Sequence, residues 1–329
     1  MRFSIPEKFL TTRNGRRRAR SLLLNQQAVA LAALIVISAA FTFATPYFLT
    51  PSNALNVGRQ ASINLIIAMG MTVVIISAGI DLSVGSIAAL TMVTMAQLVQ
   101  VGGVNIWVAV VIAVIVGSLV GTLNGMIIHY GNVPPFIATL GMMGVARGVA
   151  LLITGGYPFM GFSTDFQWIG AGGIVGIPFT IILAATITGG FYVLLKFTPM
   201  GRRFYAIGGN QEAARLSGVN VGWVKIWAYT IAGFCAAVGG IVLASMINSA
   251  PPSAGDSYAL NAIAAVVIGG TNLFGGEGTV IGTAIGALIM AVIGNGLSLL
   301  NVTSFWQQVI IGIVIILAVM MTTIRLKKR

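Results

Sequence analysis

Residues 105–129 read NIWVAVVIAVIVGSLVGTLNGMIIH. No Asp, Glu, Lys or Arg interrupts them, and a helix needs about 20 mostly apolar residues to cross a bilayer. Comparable runs cover approximately 27–45, 60–79, 83–101, 136–154, 177–197, 224–248, 259–272, 279–298 and 304–323. The eighth run, 259–272, is short and has Gly269 and Gly270 near its end, which reads as a broken or incomplete span. The chain is therefore expected to be an all-α membrane protein of about ten transmembrane helices.

Composition points the same way. Of the 329 residues, 57% are hydrophobic and only 7% are charged, against about 25% charged in a soluble domain. Such a chain cannot cover a globule with polar surface, so lipid is its solvent. The net charge of +12 is no nucleic-acid footprint, which would be a stripe on one folded face. It gathers instead at Arg16, Arg17, Arg18 and Arg20 near one end and at Arg325, Lys327, Lys328 and Arg329 at the other. Basic clusters beside span ends mark the cytoplasmic side. With ten spans, both clusters and the polar stretch 198–223 share that side. The division that follows is a basic cytoplasmic segment over 1–25, a membrane domain over 26–324 with its loop at 198–223, and a basic tail over 325–329. The first run exceeds the 7–15 residues of a secretory signal and more spans follow, so it reads as an uncleaved anchor. The aromatic stretch 155–176, with Tyr157, Phe159, Phe162, Phe166 and Trp168, then falls outside at interface depth.

Few residues suit chemistry. The single cysteine, Cys235, allows no internal disulfide and reads as a small buried hydrophobe. His129 ends a span without partners for nucleophilic or metal chemistry, and no metal site is expected. Gly117, Gly121 and Gly125 share one face of the fourth span. Gly278, Gly282 and Gly286 do so at the start of the ninth. Small residues four apart let helices approach closely in lipid. Spans four and nine run oppositely and are each third in a set of four, which suggests an inverted repeat of spans 2–5 and 7–10.

Charges in the apolar regions are rare. Asp81 lies in Gly79-Ile80-Asp81-Leu82-Ser83-Val84-Gly85, where a carboxylate at the bilayer centre would cost about 2.5–3.5 kcal/mol. One reading is a tight cytoplasmic turn with the Ser83 hydroxyl capping the third span. Another is a cytoplasmic gate, and a third a proton-carrying carboxylate. The stretch Gly269-Gly270-Thr271-Asn272-Leu273-Phe274-Gly275-Gly276-Glu277-Gly278 reads as a flexible break. Asn272 and Phe274 join Asp81 and Ser83 as gate or pathway candidates. The break lacks the Lys-Ser/Thr ending of a nucleotide loop. Arg147, inside the fifth span, is expected to face the bundle or snorkel, with a carboxylate partner left open. Asp256 is expected outside, capping the eighth span or touching a soluble partner.

The stretch 198–223 stands apart. It carries Arg202, Arg203, Glu212 and Arg215 and a short helix signal. Asn210 is a good N-cap, Glu212 suits the first turn, and Gly218 suits a left-handed terminus. Ala213, Ala214 and Leu216 form a small apolar face. About two turns are predicted, too short to persist alone in water, which fits an element seated in a partner.

Four segments resemble the inner-membrane permeases of ABC importers for ribose and related monosaccharides. They are 79–86; Pro135-Phe136-Ile137-Ala138-Thr139-Leu140-Gly141; Ala206 to Asn210 with Ala213 to Val221; and Asp256 to Gly278. Many relatives read Tyr-Glu-Leu-Asp-Ala-Ile-Ala where this chain has Tyr258-Ala259-Leu260-Asn261-Ala262-Ile263-Ala264, so two acidic positions are neutral here. The resemblance implies a multi-pass protein of the bacterial inner membrane that pairs with a second permease, an identical copy or a paralogue. Its partners would be a cytoplasmic ABC ATPase that holds ATP and Mg, a periplasmic or lipid-anchored sugar-binding protein, and membrane lipids. The chain itself would bind no cofactor and catalyse nothing. Gly208, Gly209, Asn210, Glu212, Ala213, Ala214, Arg215, Leu216, Ser217 and Gly218 would form the coupling helix. The expected function is import of a monosaccharide, ribose or a related sugar. The alternatives are an ion-coupled secondary transporter, or a permease of the same family for a nucleoside or furanose signal molecule.

Overall fold

Every apolar run becomes a helix, and local capping chemistry sets the ends. The computed structural model describes residues 12–327; the remainder of the basic N-terminal segment and the end of the basic tail lie outside them. The helices are α1 (Thr12–Ala44), α2 (Pro51–Ile76), α3 (Val84–Gln100), α4 (Ile106–Tyr130), α5 (Pro135–Thr154), α6 (Thr164–Ala171), α7 (Phe179–Phe197), α8 (Pro199–Gly209), α9 (Gln211–Leu216), α10 (Val221–Ile247), α11 (Tyr258–Ile268), α12 (Val280–Leu299) and α13 (Ser304–Lys327). Seven of them are long and apolar enough to cross a bilayer. The apolar stretches of α3, α11 and α13 are shorter.

Caps move some boundaries from where hydropathy alone places them. α2 begins nine residues before the expected 60 because Thr50 accepts from the Asn53 amide at 3.3 Å and Pro51 occupies the first turn. A proline there loses nothing, since that amide has no helical partner anyway. Asn105 opens α4, Asn220 opens α10 and Thr279 opens α12, each accepting from an amide two or three residues on.

α2 is the hub. From Ala61 to Ile76 every residue except Leu65 is buried, and α2 packs against α7, α10, α11 and α12. Thr72 Oγ1 meets Thr283 Oγ1 at 2.8 Å. Asn53 and Asn295 exchange reciprocal amide hydrogen bonds of 2.9 Å. These pairs satisfy polar groups that lipid would leave bare. Cys235 is buried, close enough to α2 that a Cβ at Gly70 would stand 2.9 Å from its Cβ. The lipid-side helices expose apolar side chains instead, as Val111 and Leu119 do on α4.

The glycine faces divide between two contacts. Gly117, Gly121 and Gly125 lie against α10, where a Cβ at Gly125 would meet Ile226 Cα at 2.5 Å. Gly282 and Gly286 lie against Gly269 and Ala265 of α11. Gly278 precedes α12, which starts at Val280, so it belongs to the preceding loop.

The stretch 155–176 is more structured than expected. Strand β1 (Phe159–Met160) pairs antiparallel with β4 (Ser249–Ala250), and β2 (Gly173–Ile174) with β3 (Ile177–Pro178). Phe162 and Phe166 are buried against each other, ring centroids 5.0 Å apart, rather than lying at an interface. The cause is α6, which docks on α10: Ser245 Oγ accepts from Gly170 N at 2.8 Å and donates to Phe166 O at 2.6 Å. Tyr157 and Trp168 remain exposed.

Candidate functional site

The polar stretch 198–223 holds two helices. Thr198 accepts from Gly201 N at 3.1 Å, and Pro199 starts α8. Phe204 and Ile207 bury one face while Arg202 and Arg203 stay exposed on the other. Sequence reading missed α8 because three of its eleven residues are glycine, a poor helix former; the Thr-Pro start and the three-residue spacing of Phe204 and Ile207 were its signals.

α9 follows at once. Asn210 turns extended and its Oδ1 accepts from Ala213 N at 2.9 Å. Arg215 grips Glu212 with two hydrogen bonds, of 2.9 and 2.6 Å, and that guanidinium holds the Glu212 carboxyl below its ordinary range. Ser217 closes the C-terminus, Gly218 turns left-handed at φ 84°, and Val219 N returns to Ala214 O. Ala214 is buried, whereas Leu216 is 75% exposed. Glu212, Arg215 and Leu216 are thus all exposed on this short helix.

α8 is the rod between this tip and the core. A Cβ at Gly208 would overlap the carbonyl oxygen of Ile76, the last residue of α2. Gly276 N donates to that same oxygen at 2.9 Å. Tyr205 Oη donates to Gly278 O at 2.9 Å. Gly209 meets no atom on its own open side, although a Cβ at Gly276 would stand 2.9 Å from its Cα. The end of α2, the end of α8 and the loop 269–279 thus form one packed junction.

The expected break in the helix is present, since α11 ends at Ile268 and α12 begins at Val280, and the loop between them is hydrogen-bonded within itself. Asn272 N donates to Glu277 O at 3.0 Å, Asn272 Oδ1 accepts from Phe274 N at 3.0 Å, and Gly275 N donates to Asn272 O. Gly270, Gly275 and Gly276 adopt positive φ, which glycine does at no steric cost. Phe274 points out, 70% exposed.

The Asp81 turn sits beside it, since Gly275 lies against Ala78. Ser83 occupies the N-cap position of α3, but its hydroxyl caps nothing. Instead Asp81 Oδ1 accepts from Ser83 N at 2.9 Å and from Ser83 Oγ at 2.5 Å, and Asn124 Nδ2 donates to Ser83 Oγ at 2.8 Å. The expected serine cap is replaced by an aspartate turn because the carboxylate accepts both donors where the hydroxyl could serve one. Ile80 O accepts from Thr139 Oγ1 at 3.3 Å and Tyr229 Oη at 3.4 Å, which brings α5 and α10 to the same place. Sequence reading missed Ile76, Asn124, Tyr205 and Tyr229. Each is a contact between elements far apart in the chain.

Arg147 and Asp256 meet elsewhere. The Arg147 guanidinium pairs with the Asp256 carboxylate and donates to Pro252 O. Asp256 therefore does not cap α11, whose N-cap position is Ser257. Among the described residues, no three His, Cys, Asp or Glu side chains gather as a metal site requires.

A family model described as branched-chain amino acid transport system / permease component matches residues 53–319, from α2 into α13. The chain belongs to this permease family. The permease is 50% identical to the ribose import permease protein RbsC of Bacillus subtilis (strain 168) over 293 residues, 88% of this chain and 90% of that one. It is 44% identical to the RbsC of Haemophilus influenzae over 292 residues, 88% and 90% of the two chains. It is 43% identical to the RbsC of Escherichia coli (strain K12) over 313 residues, 94% and 97% of the two chains. The resemblance carried by the four sequence segments is borne out. No solved structure matches the chain. In the permease, the turn after α2, the start of α5, the α8–α9 unit and the loop 269–278 all reach one end of the bundle.

Proposed function

We propose that this chain is the membrane permease of an ATP-driven importer for a monosaccharide of the ribose type. The observation that carries the proposal is the junction of Gly208, Gly276 and the Ile76 carbonyl, which joins an exposed, capped α9 to the central helix α2. In this reading α9 seats in a cytoplasmic ATPase. Closure of the ATPases moves α8, and α8 moves the end of α2, where the Asp81 turn and the 269–279 loop lie. The path then opens alternately to the two sides. An external sugar-binding protein supplies affinity and delivers substrate, and a second permease completes the conduit. The relatives named for ribose import support the choice of cargo.

The same reading places ten spans in the inner membrane with both termini in the cytoplasm. Helices α3, α11 and α13 complete the seven longer ones. It also includes the inverted repeat. The support for it is the contact pattern: exchanging α2 with α10, α3 with α11, α4 with α12 and α5 with α13 maps the pairs α4–α10, α3–α5 and α3–α10 onto α12–α2, α11–α13 and α11–α2, and all six are in contact. The glycine faces do not carry it, because one packs on α10 and the other on α11.

The test is uptake of labelled ribose into proteoliposomes that hold the permease, its ATPase and its sugar-binding protein. ATP-dependent uptake that persists with an uncoupler is expected. Uptake that needs an ion gradient and ignores ATP would falsify the proposal.

A further inference from the structure

A cavity of about 350 Å³ opens among α2, α11, α12 and α13. It lies along the N-terminal part of α2 and the N-terminal ends of α11 and α13, away from the α9 end. Its polar lining includes Gln60, Asn64, Tyr258, Asn261, Gln307 and Gln308. No Asp, Glu, Lys, Arg or His lines it. Met290, Ile63 and Ile311 supply apolar wall. Small-ligand sites run from about 300 to 1,000 Å³ and combine apolar walls with a few polar groups. This one is at the small end, and its polar groups are carboxamides and hydroxyls.

Two of those amides lack partners. Asn64 is only 6% exposed, and its Oδ1 has no hydrogen-bond partner. Asn261 Oδ1, also shielded from solvent, has none either. Buried acceptors are nearly always satisfied in native proteins. The buried Asn53 and Asn295 satisfy one another. Gln307 Nε2 is already committed to Val302 O at 2.9 Å and Ser298 Oγ at 3.2 Å, so its Oε1 is a further acceptor at the wall. The cavity is thus lined by carboxamides, which both donate and accept, and by no charged group.

We infer that this cavity is a transient binding site for a neutral polyhydroxylated ligand, a single monosaccharide, held by the carboxamide side chains that line it, Asn64 and Asn261 among them. The inference rests on the sugar-import reading above and adds to it a specific station within the membrane domain. Sugar hydroxyls both donate and accept, and so do the carboxamides that line the cavity. The C–H faces of a sugar ring lie on Met290 and Ile311. An anion would find no counter-charge, and a purely apolar ligand would leave the lining carboxamides unpaired. The same helix that presents Asn64 ends at Ile76, twelve residues on, or about 18 Å at 1.5 Å per residue. The site and the α8 junction are therefore read by one helix.

The experiment uses the full-length permease in lipid nanodiscs, with no binding protein, and D-ribose at millimolar concentration in saturation-transfer NMR. Wild type is expected to give ribose signals that a second neutral monosaccharide suppresses, whereas citrate gives none. Asn64→Leu with Asn261→Leu should reduce the ribose signal at least tenfold. Gln308→Ala, at the exposed rim, should weaken it by about threefold and decides the matter if the leucine variant does not fold. Parallel uptake by the complete importer keeps the two readings apart. If wild type imports ribose with ATP but gives no signal, or if the signal survives both sets of substitutions, water alone fills the cavity and the inference is overturned while the import reading stands. If ATP-dependent uptake itself fails, the import reading falls first.

Discussion

Gly208 is in backbone contact with Ile76: the space where its side chain would begin is taken by the Ile76 carbonyl oxygen. A carbonyl at the end of a buried helix cannot rotate aside as a side chain can. It also accepts from Gly276 N at 2.9 Å, so displacing it disturbs a third segment.

Substituting Gly208→Ala should therefore separate α8 from α2, at a cost of about 1–3 kcal/mol for overpacking, and cut ATP-driven uptake at least tenfold with membrane insertion intact. Gly209→Ala meets no atom in this chain and should change stability by no more than about 0.5 kcal/mol. Melting temperatures of the two variants in detergent, set beside their uptake rates, test the contrast. Any loss of uptake in Gly209→Ala without loss of stability would locate a partner surface there.

Asp81→Ala should destabilise the permease by about 1–3 kcal/mol, because it strips the acceptor from the Ser83 amide and hydroxyl in a buried site. Asp81→Asn keeps an acceptor oxygen and should cost less. Thermal unfolding of the purified variants gives the ranking, and equal losses would refute the turn as the reason for the carboxylate.

The Arg147–Asp256 pair is lopsided, with 18% of the arginine side chain exposed and 70% of the aspartate. Exposed ion pairs contribute about 0–1 kcal/mol, so Asp256→Asn should be mild. Arg147→Met should cost more, since it also leaves Pro252 O without its donor. A double-mutant cycle is expected to give a coupling energy under about 1 kcal/mol that shrinks as salt rises.

Acid should leave α9 intact through the usual carboxylate range. Arg215 depresses the Glu212 pKa, so the contribution of the pair is present above the unfolded value of about 4.3 and is lost only as pH falls through the lower folded value. The carboxyl carbon shift of Glu212, followed by NMR, should titrate below the ordinary range. In Arg215→Gln it should move back up.

Much of the fold was legible because lipid imposes a simple rule, and each apolar run did become a helix. Helix ends such as Thr50–Pro51 were also written locally, although hydropathy placed α2 from residue 60. The tip of the candidate site was legible for the same reason, since the Asn210 cap and the Gly218 terminus depend on near neighbours. The junction was not. Gly208, Ile76 and Gly276 meet across large sequence separations, and a glycine needed for close approach looks like a glycine needed for flexibility. The break at 269–279 was expected and is there, but its internal hydrogen bonds and its packing on Ala78 and Gly208 were not legible. The carboxylate partner of Arg147 was open for a similar reason: several acids are in reach of the chain, and only packing selects Asp256.

The central position of α2 also governs how the molecule is made. Its buried Thr72 waits for Thr283, 211 residues later, and Asn53 waits for Asn295, 242 residues later. At translation rates of about 5–20 residues per second, that delay is on the order of 10–50 s. During it an early helix with polar groups on its flanks must be sheltered by the insertion machinery or by its first neighbours. Assembly of the bundle is therefore finished from the last helices inward, and a ribosome that stops before α12 leaves the core helix without its partners.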